Sequence, residues 1–586
     1  MIAEGKISLK IRNFLFTVIF ITGIFLPSCT SADMIENIDI TTEENAKNNE
    51  SGETEMADNN TETAENSGNP REYESFIAGG EIGESVYIWQ NSNRADEILL
   101  VQAVQGITSR TKAQVYIQGG EPYTLWLNNM KSEYGFTTVT VNDVWKLVEI
   151  FKDYFAGYVS YEKPGSEEMN YAATLAGVLD ALPVSRRLAD KAGEMGFAEL
   201  DDAMEYKNIS EIIDKYSDRL NKKMFMNQNA GNNALRDYGI KNRCVITYPK
   251  SLAVVYDFLD ANALLLGWHN SEVSGVKAAS EKQVITIASD HAYNLSFLSA
   301  VPLKEYKQSE AFDKDLQAQD GKHYIAFAYS DGDNIQWLVQ NKSLDRNRFA
   351  HDKSAEIPFG WSLAPTIVDF APAVIKYMNE KAAPTDNFVA GVSGFGYIHP
   401  SEYVKAGRLE ELREFAKLTA EYMHRTGMSY TEILDEHTLN PDIRVLDAYT
   451  ENDEIMGILY KCGDRYVGGK GFLRWSNGKP VVAFRETLWS AENAVERDIY
   501  RMAYRISQYD KNPQSIDGYT LINVHAWSHD YTSVEKLVTW LRENDENVVV
   551  VTPDTFFRLI GENVPKEDAR PNKSWDDRYS YPNDLY

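Results

Sequence analysis

The chain has 586 residues, with 59 Lys and Arg against 87 Asp and Glu and a formal net charge of −28. That length exceeds one ordinary domain and leaves room for two folded units with large cores. The charge repels nucleic acid phosphates and leaves neutral polymers open as partners, while three cysteines are too few for a disulfide framework or a four-Cys zinc site.

At the N-terminus, Lys6, Lys10 and Arg12 precede the apolar run FLFTVIFITGIFL and then LPSC at 26–29. The run is too short to span a bilayer comfortably, and with its basic flank it reads as an export signal over 1–28. LPSC resembles the bacterial lipobox, which implies cleavage before Cys29 and acylation of its thiol. The mature protein would then be anchored in the bacterial cell envelope, at the outer membrane or cell surface, through lipid alone. Residues 29–74 follow as an acidic tether. From Asp33 to Glu74 there are 13 Asp and Glu against Lys47 and Arg71, a composition that self-repels and cannot offset the entropy of ordering.

From 75 to 243, strand-like runs alternate with helical ones: SVYIW, ADEILLVQAVQGI, AQVYI, PYTLWLNNM, TTVTV, DVWKLVEIFKDYF and GYVSY. The alternation predicts a small N-terminal α/β domain, with Gly106 as the C-cap of its first helix. The Asn- and Gly-rich segment 223–243 reads as a boundary. From 244 to 566 the strand-like runs VITYP, VVYDFL, QVITIASD, YIAFAYSDGDN, IPFGWSLAP, FVAGVSGFGYIHP, MSYTEIL, IMGILY, VVAFRETLW, TLINVHAWSHD and VVVVTPDTF recur. Helices such as EELREFAKLTAEYMHRT lie between several of them. This is the pattern of parallel βα units and predicts an α/β chain whose second domain closes into a barrel or stays as an open sheet; there are more runs than an eight-stranded barrel requires, so a ragged barrel fits better than an ideal one. Residues 567–586 read as a surface tail.

Polar residues collect where these strands end, the edge that carries chemistry in parallel α/β folds. In YSDGDN, Asp331 and Asp333 alternate about Gly332, so an extended backbone would point both carboxylates one way, with Asn334 beside them. Two close carboxylates split their protonation, as acid–base chemistry requires. A divalent cation at Asp331 and Asp333 is the other way to relieve that repulsion; no resident cofactor is otherwise indicated. The bland alternative is an Asp-Gly turn capping the next helix. Glu432 and Glu486 each follow a strand and could supply a second carboxylate, or could equally bind a helix N-terminus. His525 and Trp527 alternate in INVHAWSHD and would share one strand face, a hydrogen-bonding ring beside a stacking surface; Trp361 could add another ring. With no HExxH and no paired CxxC, no metal site is assigned.

GFGYIHP at 394–400 sits at one such strand end. There the sequence resembles the bacterial GxGYxYP family, named from this motif and regarded as glycoside hydrolases, with His399 where the family has its second tyrosine. The resemblance extends to LLVQAVQGITSRTKAQVYIQ, YSDGDN, LINVHAWS and VVVVTPDTF. It implies an N-terminal α/β domain joined to a TIM-like barrel that cleaves carbohydrate. Catalysis would then fall to Asp331 and Asp333, with Glu432 or Glu486 as alternative partner, and sugar binding to Asn334, Trp361, Tyr397, His399, His525 and Trp527. A glycan-binding protein that holds a saccharide uncut, and a cation-dependent hydrolase or deacetylase, are the competing readings.

Overall fold

The computed structural model describes residues 80–249, 252–342, 344–345, 347–349, 357–435, 438–489 and 495–567. The predicted export signal, the acidic tether with Cys29, and all but the first residue of the predicted tail lie outside the described residues. Those described belong to one of two units, the one spanning Glu72–Tyr586.

Two three-stranded parallel sheets open the fold. β1 (Glu81–Trp89), β2 (Lys112–Ile117) and β3 (Thr137–Val141) are ordered β2-β1-β3. β4 (Gly157–Tyr161), β5 (Ala181–Ser185) and β6 (Glu199–Asp202) are ordered β5-β4-β6. Parallel neighbours require crossover connections, and helices supply them. The first, Ala95–Thr108, runs two residues beyond Gly106, so that glycine is not the predicted cap. A Cβ there would lie 2.4 Å from Asp237 O, and glycine instead permits close approach of the helix Arg236–Lys241.

A third parallel sheet holds β7 (Met224–Asn227), β8 (Val245–Thr247), β9 (Ala263–Gly267) and β10 (Val284–Ala288), ordered β10-β9-β7-β8. It runs across position 243/244, so the domain boundary drawn there divides one hydrogen-bonded sheet. β7 pairs with β8 and β9, both beyond that point. VVYDFL, read as a strand, lies mainly in the helix Ala253–Phe258; an apolar run this short carries no period that separates helix from strand.

The largest sheet has ten strands. They are β11 (His323–Tyr329), β12 (Phe359–Leu363), β13 (Asp386–Ala390), β14 (Tyr430–Leu434), β15 (Gly457–Lys461), β16 (Leu473–Ser476), β17 (Lys479–Ala483), β18 (Glu486–Leu488), β19 (Tyr519–Val524) and β20 (Val548–Val550). The paired order is β16-β17-β15-β14-β13-β12-β11-β19-β18, with β20 against the start of β11. Every pair is parallel except β16 with β17. The fold is therefore mixed α/β with parallel sheets, and the paired order does not return on itself as the expected barrel would. β17 and β18 are instead successive pieces of one segment: between them Phe484 N–H donates to Tyr460 O of β15 (3.2 Å) and Arg485 N–H to Leu521 O of β19 (3.0 Å).

β11 shows how this sheet is filled. All seven residues of HYIAFAY are buried. Ile325, Phe327 and Tyr329 join the main core cluster, whereas Tyr324, Ala326 and Ala328 join a second one. The two-residue period of a strand sorts alternate side chains into separate layers, and burial on both faces explains why the run looks uniformly apolar.

Candidate active site

The last paired residues of β11, Ala328 and Tyr329, lie against Gly360 and Trp361 of β12, and the chain then turns sharply. Asp331 adopts a left-handed conformation (φ 63°). Gly332 passes so close to β12 that a Cβ would lie 1.5 Å from Ser362 O. The expected extended alternation is therefore replaced by a turn that only glycine can complete, yet Asp331 and Asp333 still line one cavity of about 350 Å³ together with Asn334. Trp527 Nε1–H donates to Asp331 Oδ1 at 2.9 Å, and Ser330 Oγ–H donates to Oδ2. Both oxygens of Asp331 thus act as acceptors.

The opposite wall comes from the third sheet. Trp268 and Glu272 follow β9, Asp290 and His291 follow β10, and all four line the cavity. Burial raises the Asp290 carboxyl above its ordinary range. Lys461, the last residue of β15, and Tyr466 beyond it also line the cavity.

Aromatic surface is abundant. Trp527 is 68% exposed and stacks on Trp337 at 4.7 Å with ring planes 10° apart. Trp268 and Tyr397 lie 6.5 Å apart, and the Tyr397 hydroxyl donates to Glu272 Oε1 at 3.3 Å. Carboxylates beside flat rings suit a polyhydroxylated ring, which offers C–H faces to indoles and hydroxyls to acids.

Family models match the chain in three places: the GxGYxYP first domain at 85–153, the third domain at 222–300, and the "GxGYxYP putative glycoside hydrolase C-terminal domain" at 321–561. The chain belongs to the GxGYxYP family. Among solved structures, one described as a "putative hydrolase" from Bacteroides thetaiotaomicron VPI-5482 superposes with a TM-score of 0.73 at 28% identity. The match covers 83% of this chain and 96% of that one. No curated protein matches.

The segment GFGYIHP also fastens two sheets together. Tyr397 N–H donates to Thr286 O (2.8 Å) and Thr286 N–H to Tyr397 O (3.0 Å), so the loop after β13 bridges to β10 of the third sheet. Gly396 allows this contact, because a Cβ there would lie 2.5 Å from Ile285 Cγ2. Gly394 (φ 95°) leaves 2.1 Å between a would-be Cβ and Thr419 Cγ2. His399 is buried, its N–H bound to Ser280 Oγ (2.9 Å). It starts the short helix Pro400–Lys405 and does not line the cavity.

Several other expected site residues also lie away from the cavity. Trp361 is fully buried and donates to Asp386 Oδ1 at 2.9 Å, which makes it a core residue. Glu486 is held by Arg505, with Nε 2.6 Å from Oε1, and by the Tyr509 hydroxyl. Glu432 does not line the cavity; it is wholly buried, with Lys461 Nζ 2.9 Å from Oε1 and Ser362 Oγ–H donating to Oε2 at 3.0 Å. Its position suits support of Lys461, not contact with a substrate. His525 does not share a strand face with Trp527, because β19 ends at Val524. It stacks on Trp489 at 3.6 Å and bonds Ser528 Oγ at 2.9 Å. Burial lowers its pKa, and nearby Asp331 opposes that shift. Among the described residues no group of three or more His, Cys, Asp or Glu is gathered for a metal ion.

Asp290, Trp268, Glu272 and His291 were not singled out from the sequence. One signal was available: ITIASD at the end of β10 and AFAYSD at the end of β11 both close a buried strand with Ser-Asp.

Proposed function

We propose that this protein hydrolyses glycosidic bonds in an extracellular glycan. The observation that carries the reading is the convergence of Asp331 and Asp333 on one cavity whose walls include Tyr397, Trp268 and Trp527. Carboxylates from the end of β11 act on the anomeric carbon, by direct attack or by activating water, while the rings hold the sugar. Asn334 and Tyr397 supply hydrogen bonds to ring hydroxyls. The β11–β19 sheet serves as the TIM-like scaffold of this chemistry, with the segment through Phe484 and Arg485 as its seam. Cleavage before Cys29 and its acylation would hold the enzyme at the cell envelope on the acidic tether; Cys29→Ser should then leave the protein unlipidated by mass spectrometry.

The test is a glycan panel assayed for new reducing ends, with Asp331→Asn and Asp333→Asn as controls. Wild-type turnover and a loss of about 10²–10⁴-fold in the variants support the reading. Binding without release of reducing ends assigns the protein as a glycan binder instead, and full activity in both variants refutes the assignment of the pair.

A further inference from the structure

Asp331 and Asp333 both follow β11, but the cavity has a third aspartate from a different sheet. Asp290 ends β10, and its surroundings are built to hold it. Its carbonyl accepts from Gln228 Nε2 at 2.9 Å and from Asn232 Nδ2 at 2.7 Å. The next residue is fixed likewise: Gln340 Nε2 donates to the His291 carbonyl at 2.6 Å, and His291 N–H donates to Gln336 Oε1 at 3.4 Å. Four side-chain amides thus clamp a two-residue turn, more than a loop needs merely to end a strand.

The carboxyl group differs from that of Asp331. Asp331 accepts from Trp527 and Ser330 through both oxygens, contacts that bind a carboxylate. Asp290 Oδ1 is buried and has no hydrogen-bond partner among the described residues, while Oδ2 lies 3.4 Å from His291 Nε2. Burial raises this carboxyl above its ordinary range, against the opposing pull of His291, its own backbone N–H and the Gln336 side chain, and a buried oxygen without a donor adds to the preference for the protonated group. The other charged or titratable groups lining the cavity are Glu272, Asp331, Asp333, Lys461, Tyr397, Tyr466 and His291. Lys461 is engaged by Glu432. His291 is 64% exposed at its side chain, which places a ring in contact with both Asp290 and solvent.

We propose that Asp290 is the proton donor to the departing sugar oxygen, so that acid and carboxylate reach the bond from two different sheets. This rests on the hydrolytic reading above. As the bond from the anomeric carbon to oxygen breaks, its electron pair stays on the oxygen, which takes the Asp290 proton and leaves as a hydroxyl. The anomeric carbon gains a water oxygen, directly or through a carboxylate ester, and the water's spare proton is taken up by the β11 carboxylate and released to solvent. One water is consumed and nothing is oxidised or reduced. His291 then restores the Asp290 proton from solvent. One consequence is that the 222–300 module is part of the catalytic centre and not an accessory to it.

The experiment compares wild-type full-length protein with Asp290→Asn and Asp290→Ala on nitrophenyl and dinitrophenyl glycosides of neutral hexoses, pentoses and N-acetylhexosamines. Unactivated oligosaccharides of the sugar that wild type cleaves complete the set. Departure of dinitrophenolate needs no proton, so a missing donor is felt only with poor leaving groups. Expected is a loss of about 10²–10⁴-fold on oligosaccharide and on the nitrophenyl glycoside, shrinking to within about tenfold on the dinitrophenyl glycoside, for both variants. Equal losses on all leaving groups would mark Asp290 as a positioning residue, and undiminished activity would remove it from the reaction; either outcome overturns the proposal while hydrolysis stands. If wild type releases no product from any substrate, the hydrolytic reading falls and the donor role falls with it.

Discussion

The Glu432–Lys461 pair gives the sharpest separation between a supporting and a reacting acid. Both side chains are wholly inaccessible and their charged atoms lie 2.9 Å apart. At an effective dielectric constant of about 20 that separation corresponds to about 6 kcal/mol of attraction, most of it offset by desolvation. Removing one partner strands the other charge in the interior, so Glu432→Gln and Lys461→Met should each destabilise by about 3–5 kcal/mol, whereas the double variant should recover most of that loss. The assay is urea unfolding followed by tryptophan fluorescence for wild type, both single variants and the double variant, alongside turnover. Strictly additive losses would show that the two charges do not depend on each other. A Glu432→Gln protein of wild-type stability but without activity would refute the supporting role and return Glu432 to the catalytic set.

Gly396→Val should force the motif loop off β10, since its Cβ would meet Ile285 at 2.5 Å; a cost of about 1–3 kcal/mol is expected as a lower melting temperature, together with loss of turnover. Trp527→Ala removes an exposed indole stacked on Trp337 and a donor to Asp331. It should raise KM several-fold through lost ring contact, about 0.5–1.5 kcal/mol, and lower kcat as well. His323 is buried, with Nδ1 2.7 Å from Asp510 O and Nε2 2.9 Å from Thr520 Oγ1, and burial holds its pKa down at about 3. Between that value and the ordinary histidine pKa of about 6.5 the unfolded chain binds the extra proton. Stability should therefore fall as pH drops through this window, by up to about 1.4 kcal/mol per pH unit, and His323→Gln should flatten that slope in pH-dependent unfolding. Turnover should survive chelation; a loss restored by added divalent ion would assign a cation to Asp331 and Asp333 instead.

The parts of the fold legible in the sequence were those with local causes. Strand and helix alternation through GYVSY is present in order, and YSDGDN does project two acids into a cavity because Gly332 permits the turn beneath them. The GFGYIHP loop does sit at the same edge. What escaped was decided by partners distant in sequence. Nothing near Glu432 reveals that Lys461 will neutralise it, nor near Glu486 that Arg505 and Tyr509 will occupy it. Trp361 and Asp386 find each other only once β12 and β13 pair. Asp290 alone reads as the single acid that any strand-ending turn requires; only the packing of β10 beside the largest sheet gives it a cavity to face. The boundary drawn at 243/244 followed composition, whereas β7 followed its hydrogen-bond partners.

The two backbone bonds between Tyr397 and Thr286 have a practical corollary. A fragment trimmed to residues 321–561 would retain Asp331, Asp333 and Trp527 but lose Trp268, Glu272, Asp290 and His291, and with them one side of the cavity. Expression of that segment alone should therefore give a protein unable to retain a saccharide, and functional screening should begin from a chain that includes everything from residue 80 onward.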